Sequence, residues 1–98
     1  MATFITTIQF TDQGIKAIQD TCKRAAAFKA AAKKMGVKVS EVYWTLGAFD
    51  GVIVFEAPDE ATATAAMLHL TSRGNVRSQT ARAFNAAEME KVLAKLPK

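Results

Sequence analysis

The sequence predicts an α+β fold, and three observations carry that prediction. Apolar periodicity switches repeatedly between strand spacing and helix spacing along the chain. The switches fall at capping and turn residues: Thr11-Asp12-Gln13-Gly14, Gly36, Gly47-Ala48, Pro58-Asp59 and Gly74. Finally, 98 residues, 50% of them apolar, suffice for one core and one domain, residues 1–98.

Residues 3–10 are β-branched and aromatic and predict a first strand. It ends where Thr11 or Asp12 can accept from the free amides of a following helix. From Ile15, the residues Ile18, Cys22, Ala25, Phe28, Ala32 and Met35 step by three and four, predicting one helix of about twenty residues. On this reading Cys22 is a buried small hydrophobe, and the lysine-rich flank is a solvated face. Gly36 ends the helix. Residues 37–46 and 49–57 form a hairpin with Gly47-Ala48 as its tight connection. Asp59 caps a second helix with Ala63, Ala66, Met67 and Leu70 on its apolar edge, closed by Gly74. Residues 75–84 read as a fourth, more polar strand, and 86–96 as a short amphipathic helix stopped by Pro97. With right-handed crossovers, the order βαββαβ plus a C-terminal helix is the ferredoxin-like arrangement: four antiparallel strands with helices on one face.

The helix-free face is the informative surface. The third strand reads Val52-Ile53-Val54-Phe55, with Ile53 and Phe55 on one side and Val52 and Val54 on the other. A strand half open to water should alternate apolar with polar; a continuous apolar run predicts cover on both faces. The chain has no spare layer, so the expected cover is a second copy, packed sheet to sheet as a dimeric α+β barrel.

Charge and composition exclude several classes. Thirteen basic against nine acidic residues leave +4, too mild for a dedicated nucleic-acid binder. Registering the third strand on an RNA-binding sheet places Asp50 and Val52 where stacking aromatics are needed, so RNA binding is disfavoured. One cysteine forms no internal disulfide, and with one histidine it builds no soft zinc site. No metal or cofactor motif is legible. No apolar run reaches the ~20 residues of a membrane span, and the start lacks a secretory pattern, so a cytoplasmic protein is expected.

The candidate site lies at the hairpin end, where Tyr43, Trp44, Phe49 and Asp50 bunch together, with Arg77 as a cationic partner. Asp50 reads equally as a turn-capping carboxylate. Arg73, Arg77 and Arg82 surround Gly74-Asn75-Val76 and can clamp an anion, or pair with Asp50, Glu56 or Glu60. His69 lies about 120° from the centre of its helix's apolar stripe, hence at a flank or in solvent.

Several of these segments, taken in order, resemble the GYD domain family. They are Thr11-Asp12-Gln13-Gly14, Tyr43 through Asp50, Glu56-Ala57-Pro58-Asp59, Gly74-Asn75-Val76-Arg77 and Arg82-Ala83-Phe84. The resemblance runs from Thr3 to about Leu93. The name-giving Gly, Tyr-Asp positions are Gly47, Phe49 and Asp50, so the tyrosine hydroxyl is missing here. The resemblance implies a small prokaryotic protein with a dimeric ferredoxin-like fold, and it supplies no reaction.

Two functions follow as expectations. The first is a non-catalytic homodimer that binds a small apolar or aromatic molecule near Tyr43, Trp44, Phe49, Asp50 and Arg77, or acts as a scaffold. The second is a cofactor-free monooxygenase or isomerase, or a haem-linked enzyme, using Asp50, Tyr43, Trp44 and His69. This second reading rests on fold analogy.

Overall fold

The computed structural model describes all 98 residues. Strands β1 (Ala2–Phe10), β2 (Lys38–Trp44), β3 (Gly51–Ala57) and β4 (Val76–Ala83) form one sheet in the order β2-β3-β1-β4. Every neighbouring pair is antiparallel, and the first and third strands are central. Helices α1 (Asp12–Lys16), α2 (Thr21–Lys34) and α3 (Glu60–Ser72) make the crossovers, and α4 (Ala86–Leu93) follows the last strand. This is the ferredoxin-like α+β topology expected from the element order.

Side-chain alternation decides what each strand buries. On β3, Gly51, Ile53, Phe55 and Ala57 are buried, whereas Val52, Val54 and Glu56 are only half covered. On β1, Phe4, Thr6 and Ile8 face the helices and Ile5 faces away. Phe4 and Phe55 stack with ring centroids 5.3 Å apart. Above them the helices present small side chains, Ala32, Ala63 and Ala66, all buried. Alanines on the helices let their backbones approach the sheet, and the large sheet residues fill the layer between.

Thr6 is the one buried polar side chain. Its hydroxyl lies 2.7 Å from Thr80 Oγ1 and 3.4 Å from Met67 Sδ, so it is satisfied where it is buried.

Local chemistry sets most boundaries. Thr11 caps α1 by accepting from Gly14 N, and Asp59 caps α3 by accepting from Thr62 N at 2.7 Å. That bond holds the Asp59 carboxyl below its ordinary range. Asn85 and Glu88 form a reciprocal capping box at the start of α4. Gly36 and Gly74 both take φ +83°, the left-handed conformation that ends α2 and α3.

Two expectations are corrected, and one further irregularity is found. The single first helix is broken: α1 ends at Ala17 (φ −108°, ψ 32°), a 3₁₀ turn spans Ile18–Asp20, and α2 begins at Thr21. The break rotates the early part of the stripe away from the sheet. Ile15 and Ile18 are therefore exposed. Cys22, in the first turn of α2, stands about 80–120° around that helix from the buried Phe28 and Ala32, so it too is exposed and is not a core residue. The hairpin is looser than Gly47-Ala48 alone: residues 45–50 form the loop, bridged by Thr45 N donating to Asp50 O at 2.9 Å. Finally, β2 carries a bulge between Val39 and Glu41. The extra residue lets Val39 and Val42, an odd number of positions apart, both turn towards the helices.

Gly14 sits where two segments cross. A Cβ there would lie 2.1 Å from Asn75 O, the same carbonyl that accepts from Thr11 N at 3.1 Å. Gly14→Ala should push this junction apart. We expect a loss of roughly 2–3 kcal/mol and a melting temperature lower by about 10 °C, read by calorimetry. An unchanged melting temperature would show that the crossing yields freely.

No helix is long and apolar enough to cross a membrane. The molecule is elongated, 54 × 31 × 18 Å, and α4 has no buried residue.

Candidate functional site

The residues expected at the hairpin end are only partly gathered. Adjacent strand residues leave opposite faces, so Tyr43 and Trp44 diverge. Trp44 leans towards α2, where its indole Nε1 donates to Thr21 Oγ1 at 3.0 Å. Tyr43 lies on the open sheet face, 57% exposed. There the neighbouring Glu41, by hydrogen bonding and by charge, raises the Tyr43 phenol above its ordinary value.

Asp50 acts as a backbone staple. Its Oδ2 accepts from Phe10 N at 2.8 Å, and its own N donates to Ile8 O at 2.7 Å. The carboxylate thus pairs an amide that the sheet ladder has run out of partners to satisfy. Three of the expected residues, Tyr43, Trp44 and Asp50, border a cavity of about 60 Å³ between the α2 start and the sheet, walled also by Thr21, Arg24, Phe10 and Ile53. That volume holds a few water molecules.

Phe49 and Arg77 stand outside this cavity. Phe49 is half-buried, and its carbonyl accepts from Thr45 Oγ1 at 2.7 Å. Arg77 is exposed on the open face, in register with Gln9. It borders a wide polar hollow with Gln9, Asp12, Gly47 and Asp50.

The three arginines around residue 75 are dispersed rather than clustered. Arg73 follows the end of α3, and Arg77 is on the open face. Arg82 turns to the helix side, where its guanidinium lies 4.5 Å from the Phe84 ring centroid and 5.7 Å from that of Phe4. Its ion-pair partner is Glu88 of α4 at 3.5 Å, not Asp50, Glu56 or Glu60. The Asn85 amide, first, and Arg82 hold the Glu88 carboxyl below its ordinary value.

Arg24 is the residue that sequence reasoning misses. It falls on the lysine-rich flank expected to be solvated, yet its Nη1 donates to Ala17 O at 2.7 Å and its Nη2 to Gly14 O at 3.3 Å. The available signal is its type: it is the sole arginine among the lysines of this helix. A planar fork can bridge two carbonyls, whereas an ammonium is a point charge. His69 is half-buried on the α3 flank, at the groove facing α2, and no carboxylate borders that groove.

The open sheet face is apolar at its centre and polar at its margins. Ile5 pairs with Val54 and Thr7 with Val52, flanked by Tyr43 and Ala81. Glu41, Glu56, Lys38, Gln79 and Arg77 surround them.

Comparison with known proteins adds three findings. The family model described as "GYD domain" matches residues 4–93. The chain is 38% identical over 90 residues to the "glutamine synthetase and cystathionine beta-lyase binding protein" of Thermus thermophilus, covering 91% of this chain and 95% of that protein. Among solved structures, MtbAldR superposes with a TM-score of 0.67 at 12% identity, over 86% of this chain and 53% of that one. TTHA0845, also from Thermus thermophilus, superposes with a TM-score of 0.57 at 24% identity, over 88% of this chain and 96% of that one. The chain spans about half the length of MtbAldR. At these identities the two structures establish the fold: the ferredoxin-like α+β class on which dimeric α+β barrels are built.

Proposed function

The chain belongs to the GYD domain family, and from that premise we propose that it is a non-catalytic binding protein: a cytoplasmic homodimer, paired through its open sheet faces, that docks on an enzyme of amino-acid metabolism. The observation that carries this reading is the similarity to a protein named for binding glutamine synthetase and cystathionine β-lyase. The match covers nearly all of both chains, so the comparison is between whole domains of one size.

The geometry supplies two distinct surfaces for two distinct jobs. Ile5, Val52 and Val54 form a flat apolar centre suited to a second copy, because a two-fold interface meets itself. The apolar edge of α4 and the turn after it, Met89, Val92, Leu93 and Leu96, is a narrow ridge, with each residue at least 38% exposed. An eight-residue helix is too short to be stable alone in water, so its ridge gains most by lying in a groove. The capping box and the Arg82–Glu88 pair hold it in helical form for that purpose. The ridge is the proposed enzyme contact.

Immobilised protein should retain purified glutamine synthetase or cystathionine β-lyase from the same cell with a dissociation constant of about 10 μM or tighter, measured by surface plasmon resonance. Leu93→Glu should weaken capture by tenfold or more, since an exposed helix position tolerates the change without unfolding. If neither enzyme is retained, the binding reading fails. If Leu93→Glu binds normally, the α4 ridge is not the contact.

A further inference from the structure

The groove between α2 and α3 contains a second cavity, of about 170 Å³, chemically unlike the one beside Trp44. Its floor is apolar: Phe28 and Leu70, with Ala27 and Ala31 of α2 leaving room where longer side chains would close the gap. Its rim is Arg24, His69, Arg73 and Asn75. No acidic side chain borders it.

Hydrogen-bond accounting shows an excess of donors. Two Arg24 N–H groups serve Ala17 O and Gly14 O, which orients the fork and leaves its other donors free. The Arg73 side chain makes no hydrogen bond or ion pair; the chain's one ion pair is Arg82–Glu88. Asn75 Oδ1 accepts from Gln13 Nε2 at 2.9 Å, which fixes the amide and leaves its NH₂ free. The His69 imidazole makes no hydrogen bond; its backbone carbonyl accepts from Ser72 Oγ at 2.9 Å. Cationic and amide donors thus converge above an apolar floor with no counter-charge supplied by the chain. An anion placed there gains charge-assisted hydrogen bonds, and an apolar body gains the floor.

We propose that this groove is a binding site for a small organic carboxylate with a compact apolar body. Arg24 and Arg73 meet the carboxylate, Asn75 adds a neutral donor, and Phe28 and Leu70 receive the hydrocarbon. The site is separate from the docking ridge, for α4 contributes nothing to it. It is a different cavity from the one at the hairpin end, which Tyr43, Trp44 and Asp50 border, although Arg24 stands between the two and lines both.

The test is a backbone-amide NMR titration of the full chain with isocaproate, isocaproamide and inorganic phosphate. Isocaproate should give saturable shifts at residues 24, 31, 69, 73 and 75. The amide, lacking the charge, and phosphate, lacking the apolar body, should each bind about tenfold more weakly or worse. Arg73→Gln, a change at an exposed position, should weaken isocaproate about tenfold and leave the amide's weak binding unchanged. Ala31→Leu should fill the floor and weaken acid and amide alike. Four results would overturn the proposal: no saturable shift at about 20 mM acid, equal binding of acid and amide, phosphate equal to the acid, or Arg73→Gln binding like the native chain. Failure to capture an enzyme would leave these results unaffected, so the two readings fall separately.

Discussion

Phe55→Ala should cost about 3–5 kcal/mol, a large share of the roughly 5–15 kcal/mol by which a domain of this size is stable. Phe55 is fully buried on a central strand and stacks on Phe4. The helices contribute three buried alanines to this core, Ala32, Ala63 and Ala66, beside Phe28 and Met67, and an alanine has no side-chain length with which to refill the space. The cavity therefore stays open, and the penalty includes both lost transfer energy and lost contacts. In urea the unfolding midpoint should fall by about 2 M, given a slope of about 1–3 kcal/mol per molar for small proteins. The comparison is made at one fixed protein concentration, because association would itself raise apparent stability. A midpoint within about 0.5 M of the native value would mean that the core is not closed around this ring.

Val54→Lys should separate the proposed pair. Val54 is on the opposite side of the same strand, directly across from Ile5, at the centre of the open face. In a lone molecule the substitution places an ammonium in water, and the fold should tolerate it. In a sheet-to-sheet pair, two-fold symmetry brings a lysine from each copy into one apolar contact, and an unpaired buried charge costs several kcal/mol. Dimerisation should therefore weaken by about a hundredfold or more, read by sedimentation equilibrium, while far-ultraviolet circular dichroism stays native. A native chain that sediments as a monomer at about 100 μM would remove the pairing itself. A Val54→Lys chain as dimeric as the native one would place the interface elsewhere.

The two substitutions lie on adjacent residues and test opposite faces, a distinction that alternation along β3 already contained. Much of the architecture was legible for that reason. Strand alternation, the Asp59 cap, the stops at Gly36 and Gly74, and the βαββαβ order all depend on near neighbours in sequence. The family resemblance was legible as well, because its short motifs occur in order along the chain.

The candidate site was much less legible. Tyr43 and Trp44 looked like one aromatic cluster, yet the pleat sends them to opposite faces. Arg77 looked available to Asp50, but Asp50 is engaged with the Phe10 amide. Cys22 fitted a helical stripe by spacing, yet on α2 it lies well around the helix from the buried Phe28 and Ala32 and is exposed. Being the sole arginine among the lysines of its helix was the one local hint at Arg24, and it did not name the Gly14 and Ala17 carbonyls that the guanidinium binds. Nor could spacing show that Arg24 would face His69 and Arg73 across a groove, since those residues come from a different helix.

Taken alone, the sequence determined the four strands, the second crossover helix, most of the stops, which strand faces are apolar, and the order of elements along the chain, but not the break at Ala17 or the length of the 45–50 loop. These properties follow from propensity, capping and periodicity, which act within a few residues. Only the tertiary structure decided which polar groups have partners, which cations are left without one, and where the helices leave space between them. Those outcomes turn on atoms from distant segments meeting at hydrogen-bond distance, and on side-chain volumes summed across a layer, neither of which a local pattern records.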